Sequence, residues 1–311
     1  MKKLQERIAQ GEVIIIDGPM GTELERRGVP MHGEAWSAAA LYTHPEVVRQ
    51  AHEDYIRAGA DIIITNTFAS ARHTLERTEM ADQVRELNTR AVTLAKEARE
   101  ATASDRPVYI AGSISTSFRG GTQEASANYR EQAEILTEAG ADFLIMEMMV
   151  DVQQSAYAIE AAVSIGIPVW VGFSCKIRDD DSQVVFRELP WTHGKDEDKT
   201  FAEALDSLLP IGGSLVSVMH SDIEATAPAL RAVQERWDGP LGAYPESGRF
   251  VNFSWQFENV IPPEDFLSEA KKWVQMGTQV VGGCCGIGPE HIRLLREGLP
   301  SHVPAEQQSV S

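Results

Sequence analysis

Apolar residues fall in eight short runs along the chain, and each run is followed by a segment whose apolar positions recur at helical spacing. This alternation indicates parallel strands joined by crossover helices. The predicted strands are Val13–Ile16, Asp61–Thr65, Val108–Gly112, Asp142–Met146, Val169–Phe173, Leu215–Met219, Leu241–Tyr244 and Gln279–Gly282. Eight strand-helix units in 311 residues match an α/β fold of the (β/α)₈ TIM-barrel type, which needs about 250 residues plus insertions.

The whole chain is expected to form a single domain. Ala58–Asp61 recurs as Ala139–Asp142, and in both copies a helix ends on a glycine and a strand starts at once. No linker-like change in composition divides the chain, so we place the core at about residues 12–298 and expect the polar tail, 299–311, to fray. The long charged segment Lys176–Lys199 is predicted to form a small hairpin or a lid.

Composition and charge limit the classes of partner. The net charge of −18 would repel nucleic acid and anionic membranes, which argues against both as partners. No stretch approaches the ~18 apolar residues of a transmembrane helix, and the first ten residues lack the apolar core of a signal peptide. We therefore expect a cytoplasmic protein that binds small molecules. Its three cysteines are too few for a disulfide framework, and a homo-oligomeric state is left open.

Two adjacent cysteines stand in a glycine-rich turn after the eighth predicted strand. Cys284 and Cys285 follow Gly282-Gly283 and precede Gly286. Adjacent cysteines form a strained ring if they pair with each other, whereas two thiolates on one kinked backbone can both bind a soft metal such as zinc. The glycines permit positive φ, so the two side chains can converge. The alternative is a pair of small core residues, which a Gly-Gly-Cys-Cys-Gly turn does not favour.

Further metal ligands are expected at the C-terminal ends of the strands, where TIM barrels place their active residues. His220 follows the sixth predicted strand, and Cys175 follows the fifth. If one of them joins the two adjacent cysteines, an open fourth position remains, as in catalytic zinc sites; if both join, the site is closed and structural. Each also has an ordinary alternative, namely an imidazole bonded to a backbone carbonyl for His220 and a small buried residue for Cys175.

Two carboxylates, Asp17 and Glu147, end the first and fourth predicted strands. Either could be a solvated rim residue or a helix cap. Facing a cavity that holds zinc, however, they suit the ammonium group of an amino acid, while backbone N–H groups in a glycine-rich turn suit its carboxylate. The remaining zinc position would then take a thiol that this amino acid carries.

Several motifs at these turns occur together in a known family. They are Asp17–Leu24, Trp36-Ser37-Ala38, His52 with Tyr55, Ala58–Asp61, Thr65–Phe68, Glu147, Tyr244-Pro245 and Gly282–Gly286. With them the chain resembles, from about Ile15 to Leu295, the zinc-dependent homocysteine S-methyltransferases, which include betaine-, S-methylmethionine- and folate-dependent members. The resemblance implies a TIM-barrel enzyme in which a sulfonium, ammonium or related donor gives a methyl group to the zinc-bound thiolate of homocysteine, so that methionine forms.

The resemblance also implies a ligand set for the zinc ion. The family's usual first zinc cysteine falls at Met219-His220 in this sequence, so the set would be His220, Cys284 and Cys285, with Cys175 as the alternative to His220. A second departure is Glu246, which stands where asparagine is commoner. These departures suggest an outlying member whose donor or acceptor differs.

The two small-molecule partners implied are a thiol acceptor and a methyl donor. Pro19 lacks the N–H that a substrate carboxylate would otherwise meet in the first turn. The acceptor-binding residues would be Asp17, Gly18, Met20, Thr67 and Glu147. Candidates for an aromatic cage over a cationic donor are Trp36, Phe118, Trp191 and Trp255.

Two other functions compete with methyl transfer. Zinc-dependent hydrolysis would place water in the open position and would need a nearby base, and it usually uses a site with fewer thiolates. A non-enzymatic barrel would use both His220 and Cys175 to close a structural zinc and would bind an amino acid without turnover. Counting the sulfur ligands by spectroscopy separates the last of these from methyl transfer.

Overall fold

The computed structural model describes residues 2–102, 106–116, 123–187, 199–251, 254–256 and 258–305. Its helices are α1 (Lys2–Ala9), α2 (Met20–Arg26), α3 (Ala40–Thr43), α4 (Pro45–Ala58), α5 (Arg72–Leu75), α6 (Val84–Ala101), α7 (Gln123–Ala139), α8 (Val152–Val163), α9 (Phe201–Leu208), α10 (Ile223–Gln234), α11 (Pro263–Gln275) and α12 (Pro289–Gly298). Short 3₁₀ turns lie at Ser37–Ala39, Ala81–Gln83 and Leu209–Ile211. Its strands are β1 (Ile14–Ile15), β2 (Ile62–Ile64), β3 (Tyr109–Ser115), β4 (Phe143–Met149), β5 (Val169–Phe173), β6 (Cys175–Ile177), β7 (Val184–Phe186), β8 (Leu215–Asp222), β9 (Leu241–Glu246), β10 (Arg249–Val251), β11 (Ser254–Gln256) and β12 (Thr278–Val281).

Eight parallel strands form the barrel in the order β1-β12-β9-β8-β5-β4-β3-β2. A parallel bridge between Ile16 and Ile62 joins the first and last strands of this order. The backbone N–H of Asp17 donates to the Ile62 carbonyl at 3.0 Å, and that of Asp61 donates to the Ile15 carbonyl at 2.7 Å. Each predicted apolar run overlaps one of these strands, so the predicted (β/α)₈ barrel is confirmed.

Side chains alternate between the inside of the barrel and the layer under the helices. Along β4, Phe143 and Ile145 point inward, while Leu144 and Met146 pack in the outer layer. Phe143 meets Trp170 of β5 inside the barrel, with ring centroids 4.3 Å apart. The apolar side chains of the strands and helices are thus divided between the barrel interior and the layer under the helices. Within the described ranges, no helix has both the length and the apolar character needed to cross a membrane.

The insertion after β5 begins with a hairpin. Strands β6 and β7 pair antiparallel, and Cys175 lies opposite Phe186. The prediction of a small hairpin is therefore confirmed for the first half of the segment Lys176–Lys199. The second half, residues 188–198, lies outside the described residues. The prediction of a lid falls on these residues and stays a prediction.

The first residues after α12 are packed against the barrel. The N–H of Val13 donates to the Ser301 carbonyl, and the N–H of Val303 donates to the Gly11 carbonyl, both at 2.9 Å. Val303 is only 4% exposed. The expectation of a frayed tail is wrong for residues 299–305, because this segment satisfies backbone groups beside the short first strand. Residues 306–311 lie outside the described part of the chain.

Candidate metal and substrate site

The turn after β12 directs two consecutive thiols into the barrel. Cys284 and Cys285 are both buried in the inner cluster, with their sulfur atoms 3.6 Å apart. Gly282 has no room for a side chain, because a Cβ there would lie 2.5 Å from the Ile16 carbonyl oxygen. Gly286 has φ +87°, a left-handed value that favours glycine. The glycines thus make the turn in which successive side chains converge, as the sequence predicts.

His220 enters the same cavity through an irregularity in β8. Val216 and Val218 pack in the outer layer, so a regular strand would also turn His220 outward. Instead the pairing of β8 with β9 shifts register between Met219 and Asp222, and His220 has φ +47°. The imidazole therefore points inward, with Nδ1 3.0 Å from the sulfur of Cys284. Such bulges and strained residues are common beside active sites, where they redirect a side chain.

Glu147 holds the other edge of the imidazole. Its Oε2 lies 2.9 Å from Nε2 of His220, and its Oε1 accepts a hydrogen bond from the Ser113 hydroxyl. Although burial opposes a positive charge, Cys284 and Glu147 raise the pKa of His220 to about 10. Burial and the neighbouring Cys285 raise the pKa of the Cys284 thiol well above its usual value. The residues therefore form a buried chain of polar contacts from Ser113 to Cys284.

Cys175 lies on the other side of the barrel wall. Its side chain belongs to the outer cluster, as do those of Val171 and Phe173 on the same face of the preceding strand. Its backbone N–H donates to the Ser221 hydroxyl at 2.8 Å. Burial raises the pKa of its thiol well above the usual value. The structure therefore separates Cys175 from Cys284 and gives it the environment of a small core residue.

Asp17 follows β1 and is fully buried. Its Oδ2 accepts a hydrogen bond from the N–H of Ile64 at 2.9 Å, whereas Oδ1 has no hydrogen-bond partner among the described residues. Burial raises the pKa of this carboxyl well above its usual value, and the neighbouring Glu147 raises it further. The next residue, Gly18, lies against the ring of Tyr55, only 2.6 Å from where a Cβ would be. Only glycine fits this turn.

Two of the predicted acceptor-binding residues have side chains that bond or pack within the barrel wall. The hydroxyl of Thr67 donates to the Ser113 carbonyl at 2.8 Å and lies 2.8 Å from the hydroxyl of Thr65. Met20 begins α2, and its side chain packs in the outer cluster. Neither side chain is thereby directed at the two cysteines.

Aromatic rings surround the imidazole. The ring centroid of Phe68 lies 5.5 Å from that of His220, and the ring centroid of Tyr244 lies 6.2 Å from it. Trp36 meets Phe68 edge-on at 6.0 Å, and both are half-buried. Trp36 has φ +40°, and its ring covers Gly21, where a side chain would collide with it. Of the other predicted cage residues, Phe118, Trp191 and the side chain of Trp255 lie outside the described residues.

Glu246 is a site residue that the sequence analysis did not select as a ligand. Donor atoms of His220, Glu246 and Cys284 all lie within 4.8 Å of one another, and all three residues are buried. Glu246 also forms an ion pair with Arg187. Strand alternation carried the necessary signal, because Tyr244 points inward and Glu246 follows two positions later.

These donors fit a metal ion of the zinc type. Thiolate, imidazole and carboxylate are its protein ligands, at about 2.0–2.3 Å from the metal in a tetrahedron, which puts the donor atoms about 3.5 Å apart. The separations of 3.0 Å between Cys284 and His220 and of 3.6 Å between Cys284 and Cys285 agree with this spacing. The donor types and separations of these described residues thus fit a zinc site of cysteine and histidine with a carboxylate beside it.

The sequence matches the family model described as homocysteine S-methyltransferase over residues 14–299. The chain belongs to the homocysteine S-methyltransferase family. The match spans all eight barrel strands and the turn that carries Cys284 and Cys285. It confirms the family and the class of thiol methyltransferase that the sequence predicts.

Members of this family with similar sequences carry different names. The chain is 29% identical to selenocysteine methyltransferase of Astragalus bisulcatus, with 94% of each chain aligned. It is 26% identical to homocysteine S-methyltransferase 2 of Zea mays, over 96% of this chain and 93% of that one. It is 28% identical to betaine–homocysteine S-methyltransferase 1 of Mus musculus, over 96% and 75%. The metallated homocysteine methyltransferase MmuM of Escherichia coli has the same fold, with a TM-score of 0.74 at 24% identity over 94% and 99% of the two chains.

Proposed function

We propose that this family member transfers a methyl group from a sulfonium, ammonium or related donor to the thiol of homocysteine, with zinc held by His220, Cys284 and Cys285. The observation that carries the proposal is the buried contact of Cys284 with His220 at 3.0 Å, continued to Glu147 at 2.9 Å. When bound, zinc lowers the pKa of a thiol so that a nucleophile exists at neutral pH. Three protein ligands leave one position for that thiol.

Glu147 fixes the orientation of His220. A ligand histidine whose second nitrogen donates to a carboxylate is held in one tautomer and one ring orientation. Here Nδ1 faces Cys284, and Nε2 faces Glu147. Ser113 in turn holds the carboxylate through its hydroxyl. The imidazole is therefore positioned before substrate arrives.

The amino group of the acceptor is assigned to Asp17 and Glu147. Within the described part of the chain, Oδ1 of Asp17 is a buried acceptor without a hydrogen-bond partner, and a carboxylate can accept more bonds than the two that Glu147 makes. An ammonium group between them would offset the burial and the repulsion by Glu147 that together raise the pKa of Asp17. A thiol on the same amino acid would then reach the sulfur and nitrogen donors of Cys284 and His220.

The donor is assigned to the half-buried aromatic side of the cavity. Phe68 packs against the His220 ring and Trp36 packs edge-on against Phe68, and aromatic faces attract onium groups. The thiolate sulfur forms the new bond to the methyl carbon while the bond from that carbon to the onium atom breaks. The donor leaves as a neutral thioether or amine with the electron pair, so no base is needed. What the barrel contributes to this step is alignment of the two reactants.

A closed structural zinc is less compatible with this arrangement. That alternative needs the thiol of Cys175 beside His220, and Cys175 packs in the outer layer. Phe68, which packs against the His220 ring, and Trp36, which packs against Phe68, are only half-buried. Turnover is therefore the function that the geometry supports best.

The direct test incubates the zinc-loaded protein with each acceptor and donor in turn. Homocysteine and selenocysteine serve as acceptors, and S-methylmethionine, betaine and a methylfolate serve as donors, with products followed by mass spectrometry. We expect methionine from homocysteine and a sulfonium donor to form fastest. The zinc content is measured on the same sample. A protein that holds zinc but methylates no acceptor would contradict the proposal.

Zinc binding should release protons from this site. Burial and Cys285 raise the pKa of the Cys284 thiol well above its usual value, and Cys284 and Glu147 raise the pKa of His220 to about 10. Zinc requires the neutral imidazole, so the His220 proton competes with the metal at every pH below this pKa. The apparent zinc affinity should therefore rise about tenfold or more for each unit of pH between about 6 and 8. Competition with a chromophoric chelator measures it, and a flat profile would contradict zinc binding by His220 and the two cysteines.

A further inference from the structure

A second irregular strand end lies close to the bulge that directs His220. Met148, the residue after Glu147, has φ +61°, and the pairing of β4 with β5 shifts register between Met146 and Met149. Strands β4 and β8 both pair with β5, so the end of β5 lies between the two irregular segments. Positive φ at residues other than glycine costs free energy and persists only where the surrounding structure holds it.

Ser174, the residue that follows β5, contacts both irregular segments and is fully buried. Its N–H donates to the Met149 carbonyl at 3.1 Å. Its hydroxyl donates to the Met219 carbonyl at 2.9 Å and lies 3.4 Å from the sulfur of Met148. The paired residues of β5 and β8 end at Val218, so this hydroxyl extends the contact between these strands by one residue. Ser174 thus links the strands on either side of β5.

Ser221 binds the same carbonyl from the other side of His220. Its hydroxyl donates to the Met219 carbonyl at 3.0 Å and accepts the N–H of Cys175 at 2.8 Å. Ser221 is also fully buried. Two hydroxyls therefore occupy the two lone pairs of one buried carbonyl, directly before the residue with positive φ.

The hairpin inserted after β5 takes part in these contacts at both of its ends. Its first strand begins with Cys175, whose N–H binds the hydroxyl of Ser221. Directly after its second strand, Arg187 donates its backbone N–H to the Ser174 carbonyl at 2.9 Å. Nη1 of Arg187 donates to the His220 carbonyl at 2.8 Å. The insertion is thus bonded to the backbone of the bulge and to the serines that hold it.

We propose that Ser174 and Ser221 are positioning residues for the zinc site. Their hydroxyls hold the Met219 carbonyl, and the held carbonyl keeps the His220 imidazole directed at Cys284, 3.0 Å from Nδ1. This inference rests on the proposed function, because it takes His220 as a zinc ligand. Without the two hydroxyls the buried carbonyl loses both donors, and the backbone is free to relax toward a regular strand, in which this imidazole faces outward.

The test measures the Kd for zinc, by competition with a chelator, in single and double serine variants. Since one hydroxyl still binds the carbonyl, Ser174→Ala and Ser221→Ala should each have a small effect. The double variant should raise the Kd about 10- to 100-fold, the range for groups that orient a metal ligand, and by more than the product of the single effects. Ser217→Ala is the matched control, because its buried hydroxyl also donates to a carbonyl of β5, that of Val171, at 3.4 Å. It should leave the Kd unchanged.

A spectrum of the metal separates positioning from a general loss of stability. In cobalt-substituted protein the visible bands depend on the identity and geometry of the ligands. The double alanine variant should show altered bands, because the imidazole is no longer held, whereas Ser217→Ala should keep the wild-type bands. Ser174→Thr in the Ser221→Ala background restores one hydroxyl and should return both the Kd and the bands to those of Ser221→Ala alone.

Circular dichroism and thermal unfolding check that each variant is folded. If the double alanine variant is not, Ser174→Ala and Ser221→Ala are compared singly, and each should shift the cobalt bands in the same direction. Unaltered bands in both single variants would then overturn the proposal.

Each further outcome bears on one proposal or on both. A double variant that unfolds at lower temperature but keeps the zinc affinity and the cobalt bands of the wild type would show a purely structural role for the serines. That result, or an equal effect of Ser217→Ala, would overturn the positioning role and leave the proposed function intact. Absence of zinc from the wild-type protein would overturn both. Weaker zinc binding with altered bands, reversed by Ser174→Thr, would support the positioning role.

Discussion

Replacing Cys284 and Cys285 together by alanine should leave a folded protein that holds no zinc and has almost no methyltransferase activity. The two thiols are the only sulfur atoms of the inner cluster besides methionine in the described residues; they lie 3.6 Å apart, and Cys284 lies 3.0 Å from Nδ1 of His220. Without them, one imidazole and a carboxylate remain, which is too few donors for tight zinc binding. The acceptor would then react as an ordinary thiol, whose pKa near 8.5 leaves it mostly protonated at neutral pH.

We expect kcat/KM of the double variant to fall by about 10³-fold or more, because metal-ion catalysis contributes several kcal/mol and each 1.4 kcal/mol is a factor of ten. Zinc is quantified by mass spectrometry on protein freed of loosely bound metal. Cys175→Ala is the matched control, since this third cysteine is equally buried but faces the helices. It should retain zinc and activity. Full zinc occupancy in the double variant would rule out the site.

Substitution of His220 should separate loss of the metal from a change in its chemistry. His220→Ala removes the donor 3.0 Å from Cys284 and also leaves Glu147 without its buried partner. We expect its zinc affinity to fall by more than ~100-fold, since even residues that only support a ligand contribute 10- to 100-fold. His220→Cys supplies a thiolate at the same place and should keep the metal.

The pH dependence of kcat/KM should differ between His220→Cys and the wild-type protein. A third protein thiolate donates more negative charge to zinc than an imidazole does, so the acceptor thiol should ionise at a higher pH in His220→Cys. The acidic limb of the pH profile of kcat/KM should move upward accordingly. The thiolate, once formed, should be a better nucleophile, because nucleophilicity rises with pKa. By the same argument the wild-type enzyme should favour a reactive sulfonium donor over a quaternary ammonium.

X-ray absorption of the wild-type protein checks the assignment directly. Two protein sulfurs and at least one nitrogen would agree with His220 as a ligand. Three protein sulfurs without nitrogen would show that Cys175 binds instead, against the position of its thiol in the outer layer.

Much of the architecture followed from local rules in the sequence. Eight apolar runs predicted eight strands because a strand buried on both faces needs an uninterrupted apolar segment. The convergence of Cys284 and Cys285 was predictable because Gly282 and Gly286 permit a turn that other residues cannot adopt. Asp17 and Glu147 could be placed at the mouth of the barrel because parallel strands end at the same face. Inward alternation along β9 would have added Glu246 by the same kind of reasoning.

What the tertiary structure decided depends on neighbouring strands. His220 should face outward by simple alternation, and only the shifted pairing of β8 with β9, together with φ +47° at this residue, turns it toward Cys284. Cys175 has no such irregularity and stays in the outer layer. The contacts of Glu147 with His220 and of Glu246 with Arg187 join residues 73 and 59 positions apart. The sequence could not reveal these pairs, since a bulge and a long-range ion pair are set by the register between strands and not by the residues of one strand.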